Sequence, residues 1–303
     1  MSFKTFFSKF QRVKTTEGMT ERKIKKPTLV SRFNKETISL VIKQIPLTKR
    51  QLFVASTLLL TTILVLTQIV PSDYRYICVI ALSISTYILG AICLHEDLQG
   101  IEWFTLLILP TLYSAAVALF YFLLPVRWLT RIPIAMLYAF GLYALLLTEN
   151  IYNVAANRTI ALLRAAHSVG FLLSFITYFL LVQTIFAFRF GPFPNILGIG
   201  ILSFILIFQS LWAMELEEKA SERLISVTVA LTAVLVQLTW ILSLWPVPRM
   251  MAALFIASVF YSLVGMAQQY IVEKMYKKTV IEFFLVCIVI SVIFLATTRW
   301  RGI

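Results

Sequence analysis

Nine long apolar stretches run through this chain and limit what it can fold into. A helix crosses roughly 30 Å of hydrocarbon with about 20 apolar residues, and it pairs its backbone amides internally where water is absent. Only 14% of the 303 residues are charged, whereas a soluble domain carries about 25%. The sequence therefore excludes a soluble fold and predicts an all-α, polytopic integral membrane helix bundle of about nine transmembrane helices. The predicted spans are 52–70, 76–94, 104–124, 133–152, 160–187, 195–214, 224–245, 251–270 and 279–298.

Positive charge is concentrated at the start of the chain. The net charge is +13, and residues 1–50 hold thirteen Lys and Arg against three Glu, so the remainder is close to neutral. Because cytoplasmic flanks of spans retain Lys and Arg, this asymmetry predicts a multi-pass protein of the cell membrane with a cytoplasmic N-terminus and an outside C-terminus. We therefore expect a basic cytoplasmic tail over 1–50 and a transmembrane domain over 51–303.

The tail contains two amphipathic segments. In the first, four phenylalanines recur at helical spacing between basic residues, which is typical of a helix lying among lipid headgroups. Each cation near an anionic leaflet contributes about 1 kcal/mol, so we expect contact with anionic lipid. The alternative is a tail that only sets topology, and nucleic acid is not expected as a partner. The predicted lipid contacts are Phe3, Lys4, Phe6, Phe7, Lys9, Phe10, Arg12, Lys25 and Lys26.

Spans two to five align with spans six to nine at an offset of about 120 residues. The acidic connection at 94–97 (LHED) then pairs with 214–217 (MELE). This alignment predicts a 1+4+4 arrangement with parallel repeats over 76–187 and 195–298. Evenly spaced spans also superpose without any duplication, so both interpretations stay open.

Polar residues gather where span four meets span five. Glu149 and Asn153 share a helix face with Asn150 beside them, and Arg164 and His167 share a face of the next helix. A charged side chain inside the bilayer costs at least about 2.5 to 3.5 kcal/mol, so it calls for a partner or a function. We predict a ligand or proton site in which Glu149 carries charge and pairs with Arg164. The candidate residues are Glu149, Asn150, Asn153, Arg158, Arg164 and His167.

A secondary cytoplasmic cluster consists of His95, Glu96, Asp97 and Glu102. It supports an alternative function, a membrane-embedded enzyme acting on a lipid or lipid-linked substrate. A further alternative is a polar seam that joins helices in a non-catalytic scaffold. The two histidines lack metal-ligand spacing, and the common catalytic motifs are missing from the sequence. We therefore expect no catalytic residue, no metal and no cofactor, and the balance favours a protein that is not an enzyme.

At residues 95–98 (HEDL), 124–128 (LPVRW) and 148–155 (TENIYNVA), the chain resembles an uncharacterised family of bacterial multi-pass membrane proteins. The resemblance covers the body and not the tail, and it implies the structural class without an activity. Our main hypothesis is a transporter or small-ligand-binding membrane protein. Its polar cavity would open to the cytoplasm between spans two to five and take a small-molecule or lipid ligand.

Overall fold

The computed structural model describes residues 48–67, 70, 74–94, 101–124, 128–155, 162–217, 220–273 and 277–297. Within these ranges the chain forms nine α-helices, each long and apolar enough to cross a membrane, and no strand. The helices are α1 (Lys49–Thr67), α2 (Arg75–Leu94), α3 (Glu102–Leu123), α4 (Trp128–Ala155), α5 (Leu163–Ala187), α6 (Pro192–Glu215), α7 (Glu222–Leu244), α8 (Arg249–Ile271) and α9 (Lys277–Thr297). The predicted all-α membrane bundle is therefore confirmed, and the predicted span limits differ from the helix ends by at most five residues.

Two helix starts show ordinary N-terminal chemistry. Ser221 caps α7, because its hydroxyl oxygen accepts a hydrogen bond from the Leu224 backbone N–H at 3.1 Å. Pro192 begins α6, where a missing N–H costs least. The largest difference from prediction is at α4, which begins at Trp128 and includes Pro133 near its start. Proline is tolerated close to a helix N-terminus, so Pro133 does not mark the boundary.

Consecutive helices run in opposite directions across the bundle. We call the side where α1 begins the first end and the side where α1 finishes the second end. At the first end, Asn153 of α4 donates to the carbonyl oxygen of Leu94, the last residue of α2, at 3.1 Å. At the second end, the rings of Tyr76 at the start of α2 and Phe188 after α5 lie 6.1 Å apart. The first end is the predicted cytoplasmic side.

α5 is central and α9 is peripheral. α5 packs against α3, α4, α6 and α8. Among the described helices, α9 has its extensive contact with α8, and only 6% of its span is buried, compared with 61% for α8. Most of the surface of α9 therefore lies on the outside of the bundle.

The pattern of helix contacts repeats along the chain. α1 packs on α2 and α4, α2 packs on α3 and α4, and α3 packs on α4. The same five pairs recur when each helix is moved forward by four, from α5 to α8. The pair formed by α3 and α5 has no equally extensive counterpart between α7 and α9 in the described part of the chain. The duplication and its 1+4+4 division stay predictions.

Candidate functional site

Side chains from three helices meet α6 near the first end. Glu149 comes from α4, His167 from α5 and Gln268 from α8, and each forms a hydrogen bond with a residue of α6. Because a buried polar group is costly unless it is paired, these contacts select how the four helices fit together. We call this set the polar layer, and it comprises Glu149, His167, Gln209, Ser210, Ala213 and Gln268.

Glu149 is the acidic residue of the polar layer, and its side chain is fully buried. The amide nitrogen of Gln209 donates to Glu149 Oε1 over a long distance of 3.4 Å. Glu149 Oε2 and the amide oxygen of Gln209 have no hydrogen-bond partner among the described residues. The carboxyl group is therefore only partly satisfied by the protein around it.

The structure corrects the predicted ion pair between Glu149 and Arg164. Arg164 lies in the first turn of α5 and is exposed, whereas Glu149 lies six residues before the end of α4. Six residues correspond to about 9 Å of helix, so the carboxyl group lies deeper in the bundle than the arginine. No ion pair joins these two described residues. Arg158, the other predicted partner, lies outside the described residues.

Gln268 holds α8 against α6. Its amide nitrogen donates to Ser210 Oγ at 2.8 Å and lies 3.4 Å from the Ser210 carbonyl oxygen. Gln209, Ser210 and Gln268 were not predicted, because the prediction rested on charged residues and histidine inside the spans. The available signal was the presence of amide side chains inside two apolar spans, 195–214 and 251–270.

His167 joins α5 to both neighbouring helices. Its Nε2 donates to the Ala213 carbonyl oxygen at 2.9 Å, and its ring centroid lies 5.5 Å from that of Tyr152 on α4. The Tyr152 hydroxyl donates to the Ala166 carbonyl oxygen at 2.9 Å. Gly170 makes this approach possible, since a Cβ atom there would lie 2.5 Å from the Tyr152 hydroxyl oxygen.

A cavity of about 830 Å³ lies among α5, α6, α8 and α9 at the first end, and we call it the main cavity. Its polar lining includes Arg164, His167, Ser168, Gln268 and Gln269. The prediction placed a cavity between spans two to five, and of these spans only span five lines the main cavity. Arg164 and His167 face α6 and α8. Helical periodicity predicts that they share a face of α5, but it does not predict which helices pack against that face.

A smaller gap of about 10 Å³, close to the size of one water molecule, lies behind the main cavity. Gln268, Phe171 and Met214 line both spaces, and Gln209 lines the smaller one. Polar groups therefore extend from the main cavity through the gap to Gln209, whose amide contacts Glu149.

The other predicted residues take varied positions. Asn153 is buried and contacts the end of α2, while Asn150 is half-buried beside Glu149. Glu102 is buried in the first turn of α3, where an acidic side chain is favourable for the helix dipole. Among the described residues no cluster of three or more His, Cys, Asp or Glu could hold a metal. Outside the described residues lie His95, Glu96 and Asp97, and the tail contacts Phe3, Lys4, Phe6, Phe7, Lys9, Phe10, Arg12, Lys25 and Lys26.

Residues 77–297 match a protein family described as "Protein of unknown function (DUF5656)". Comparison with curated proteins and with solved structures gave no match. The family match confirms the resemblance to an uncharacterised family, while a bacterial source stays a prediction. The matched region runs from α2 to the end of α9, so it includes the whole polar layer and the main cavity.

Proposed function

The chain belongs to this family, and from the geometry of the polar layer we propose that it is a transporter or small-ligand-binding membrane protein with Glu149 as its proton-carrying group. The main cavity receives the ligand and opens to the cytoplasm. The basic tail over 1–50 rests on anionic headgroups, and the transmembrane domain over 51–303 crosses the cell membrane with the C-terminus outside.

The observation that carries this proposal is the burial of Glu149 without a full set of partners. Burying one ion in a protein interior costs several kcal/mol even after relaxation. Gain or loss of a proton at Glu149 therefore changes the free energy of its contact with Gln209. An ionisable group at such a position inside a membrane is a functional-site candidate by default.

The lining of the main cavity supports an anionic ligand. Among the described residues that line it, Arg164 alone carries a permanent charge, and His167 and Gln269 add polar groups. Its volume of about 830 Å³ lies within the range of small-molecule sites, about 300 to 1,000 Å³. Binding of a ligand beside Arg164 affects Glu149 through the polar groups that lie between them.

Proton movement in proteoliposomes tests the role of Glu149. The full chain is reconstituted with an internal pH-sensitive dye, and a panel of carboxylates and phosphates of increasing chain length is added outside. We expect Glu149→Gln to lower ligand-dependent proton flux about 100-fold, the contribution that a positioned proton-transfer group typically makes. Glutamine keeps the shape of the side chain, but its amide does not bind and release a proton as a carboxyl group does.

Glu222→Gln is the matched control, because Glu222 is an exposed acid in the first turn of α7. Its flux should stay within about twofold of wild type, since a surface substitution changes little. Unchanged flux in folded Glu149→Gln would overturn the site assignment. If no compound binds to the wild-type chain or moves protons through it, the scaffold alternative replaces this proposal.

A further inference from the structure

The main cavity changes in polarity along the bundle axis. Arg164, His167 and Gln269 lie towards the first end, and the rings of Phe171 and Tyr261 stack deeper in the bundle with centroids 5.0 Å apart. The seven residues from Arg164 to Phe171 correspond to about 10 Å of helix. One end of the cavity is therefore basic and polar, and the other end is aromatic.

Phe283 brings α9 into the aromatic end of the cavity. Its ring centroid lies 5.5 Å from that of Tyr261 on α8. Its ring also packs so closely over Gly265 that a Cβ atom at that position would collide with it. α9 is thus held against α8 at the depth of the aromatic rings.

The main cavity has an open side between α5 and α9. The described parts of these two helices have no extensive contact, because α9 packs on α8. On the α5 side, Leu172 lines the cavity and is 53% exposed. Since both helices lie within the hydrocarbon layer, this side faces lipid and not water.

Deepening the proposed function, on which this step rests, we infer that the ligand is an amphiphile with one hydrocarbon chain and an anionic head. It enters from the bilayer between α5 and α9. The head lies beside Arg164 and His167, and the chain runs past Phe171 and Phe283. A carboxylate or a phosphate head satisfies the same charge requirement, so a fatty acid and an alkyl phosphate share this chemistry.

Binding to the full chain in nanodiscs of phosphatidylcholine tests this assignment. The probes are dodecanoate and dodecyl phosphate, which have the same chain length, and the comparison compounds are acetate, inorganic phosphate, dodecanol and phosphatidylglycerol. We expect both probes to bind at least about 100-fold more tightly than acetate or inorganic phosphate, because the chain adds apolar burial. The tighter of the two probes identifies the head group as carboxylate or phosphate.

Three variants locate the site. Arg164→Ala should weaken both probes at least about tenfold and leave dodecanol unchanged, because only the head loses a charged partner. Ser168→Trp should block both probes, since Ser168 is exposed and lines the main cavity. Arg189→Ala is the matched control, because Arg189 lines a separate cavity of about 370 Å³ at the second end.

Equal loss of binding in Arg189→Ala and Arg164→Ala would overturn the inference, because the probes would then be held by surface charge. Equal affinity for phosphatidylglycerol would also overturn it, since the site would hold ordinary two-chain lipid. Probe binding without proton movement contradicts the proposed proton-carrying role of Glu149 and supports the inference. Proton movement with acetate or inorganic phosphate alone overturns the inference and supports the transport proposal.

Discussion

Two buried side chains contact α6 from different helices, and the protein satisfies their hydrogen-bonding groups to different degrees. Gln268 of α8 donates to Ser210 Oγ at 2.8 Å, whereas Glu149 of α4 accepts one long hydrogen bond of 3.4 Å from Gln209. One oxygen of Glu149 has no partner among the described residues. A satisfied buried polar group fixes how helices pack, and an incompletely satisfied ionisable group indicates a function.

The positions of Glu149 and Gln268 in the sequence make the contrast informative. They are 119 residues apart, and their partners Gln209 and Ser210 are adjacent. Under the predicted repeat, with its offset of about 120 residues, Glu149 and Gln268 correspond to within one residue. α4 and α8 would then be equivalent helices, of which one carries an acid and the other an amide.

The largest expected effect is on proton flux, when the carboxyl group is moved from Glu149 to a neighbouring position. In Glu149→Gln with Gln209→Glu, an acid stays in the same contact between α4 and α6. We expect at least about 100-fold more proton flux than in Glu149→Gln with Gln268→Glu, because a proton-transfer group acts only where it is positioned. The flux is measured in the dye-loaded proteoliposomes. Equal flux in the two double variants would contradict a special role for the contact with Gln209.

The fold was largely predictable from the sequence, because a membrane span is defined by a local apolar run. The predicted limit of span two, 76–94, and the observed helix Arg75–Leu94 differ by one residue at the start. The start of α4 was predicted at residue 133, but the helix begins at Trp128 and includes Pro133 near its start. A local property therefore predicts where helices lie in the chain.

The site was predictable only in part, because it depends on which helices become neighbours. Glu149 and His167 were found as polar residues inside spans, and both belong to the polar layer. Gln209 and Gln268 carry no charge, so their cost inside a membrane is a weaker signal. The expected pair of Glu149 with Arg164 failed because sequence spacing does not fix the depth or the direction of a side chain in the bundle.

The close approach of α4 and α5 beside Glu149 should be sensitive to one methyl group. Gly170→Ala places a Cβ atom 2.5 Å from the Tyr152 hydroxyl oxygen. We expect a loss of about 1 to 3 kcal/mol in the free energy of unfolding, the usual cost of overpacking. Gly198→Ala is the control, since its Cβ atom meets Ile185 at an ordinary 3.4 Å. Unfolding in detergent measures both, and equal stability would show that α4 and α5 separate easily.

Replacing the two compared side chains by leucine should change stability in unequal ways. Gln268→Leu should lower the free energy of unfolding by about 0.6 to 1.7 kcal/mol, the range for hydrogen bonds between membrane helices. Glu149→Leu should change it by less than about 0.5 kcal/mol, because one long hydrogen bond is exchanged for apolar packing. Gln269→Leu, which changes the neighbouring half-buried amide, is the control for Gln268. If Glu149→Leu proved the more destabilising variant, the carboxyl group would be the structural member of the pair, and its proposed role in proton transfer would lose its physical basis.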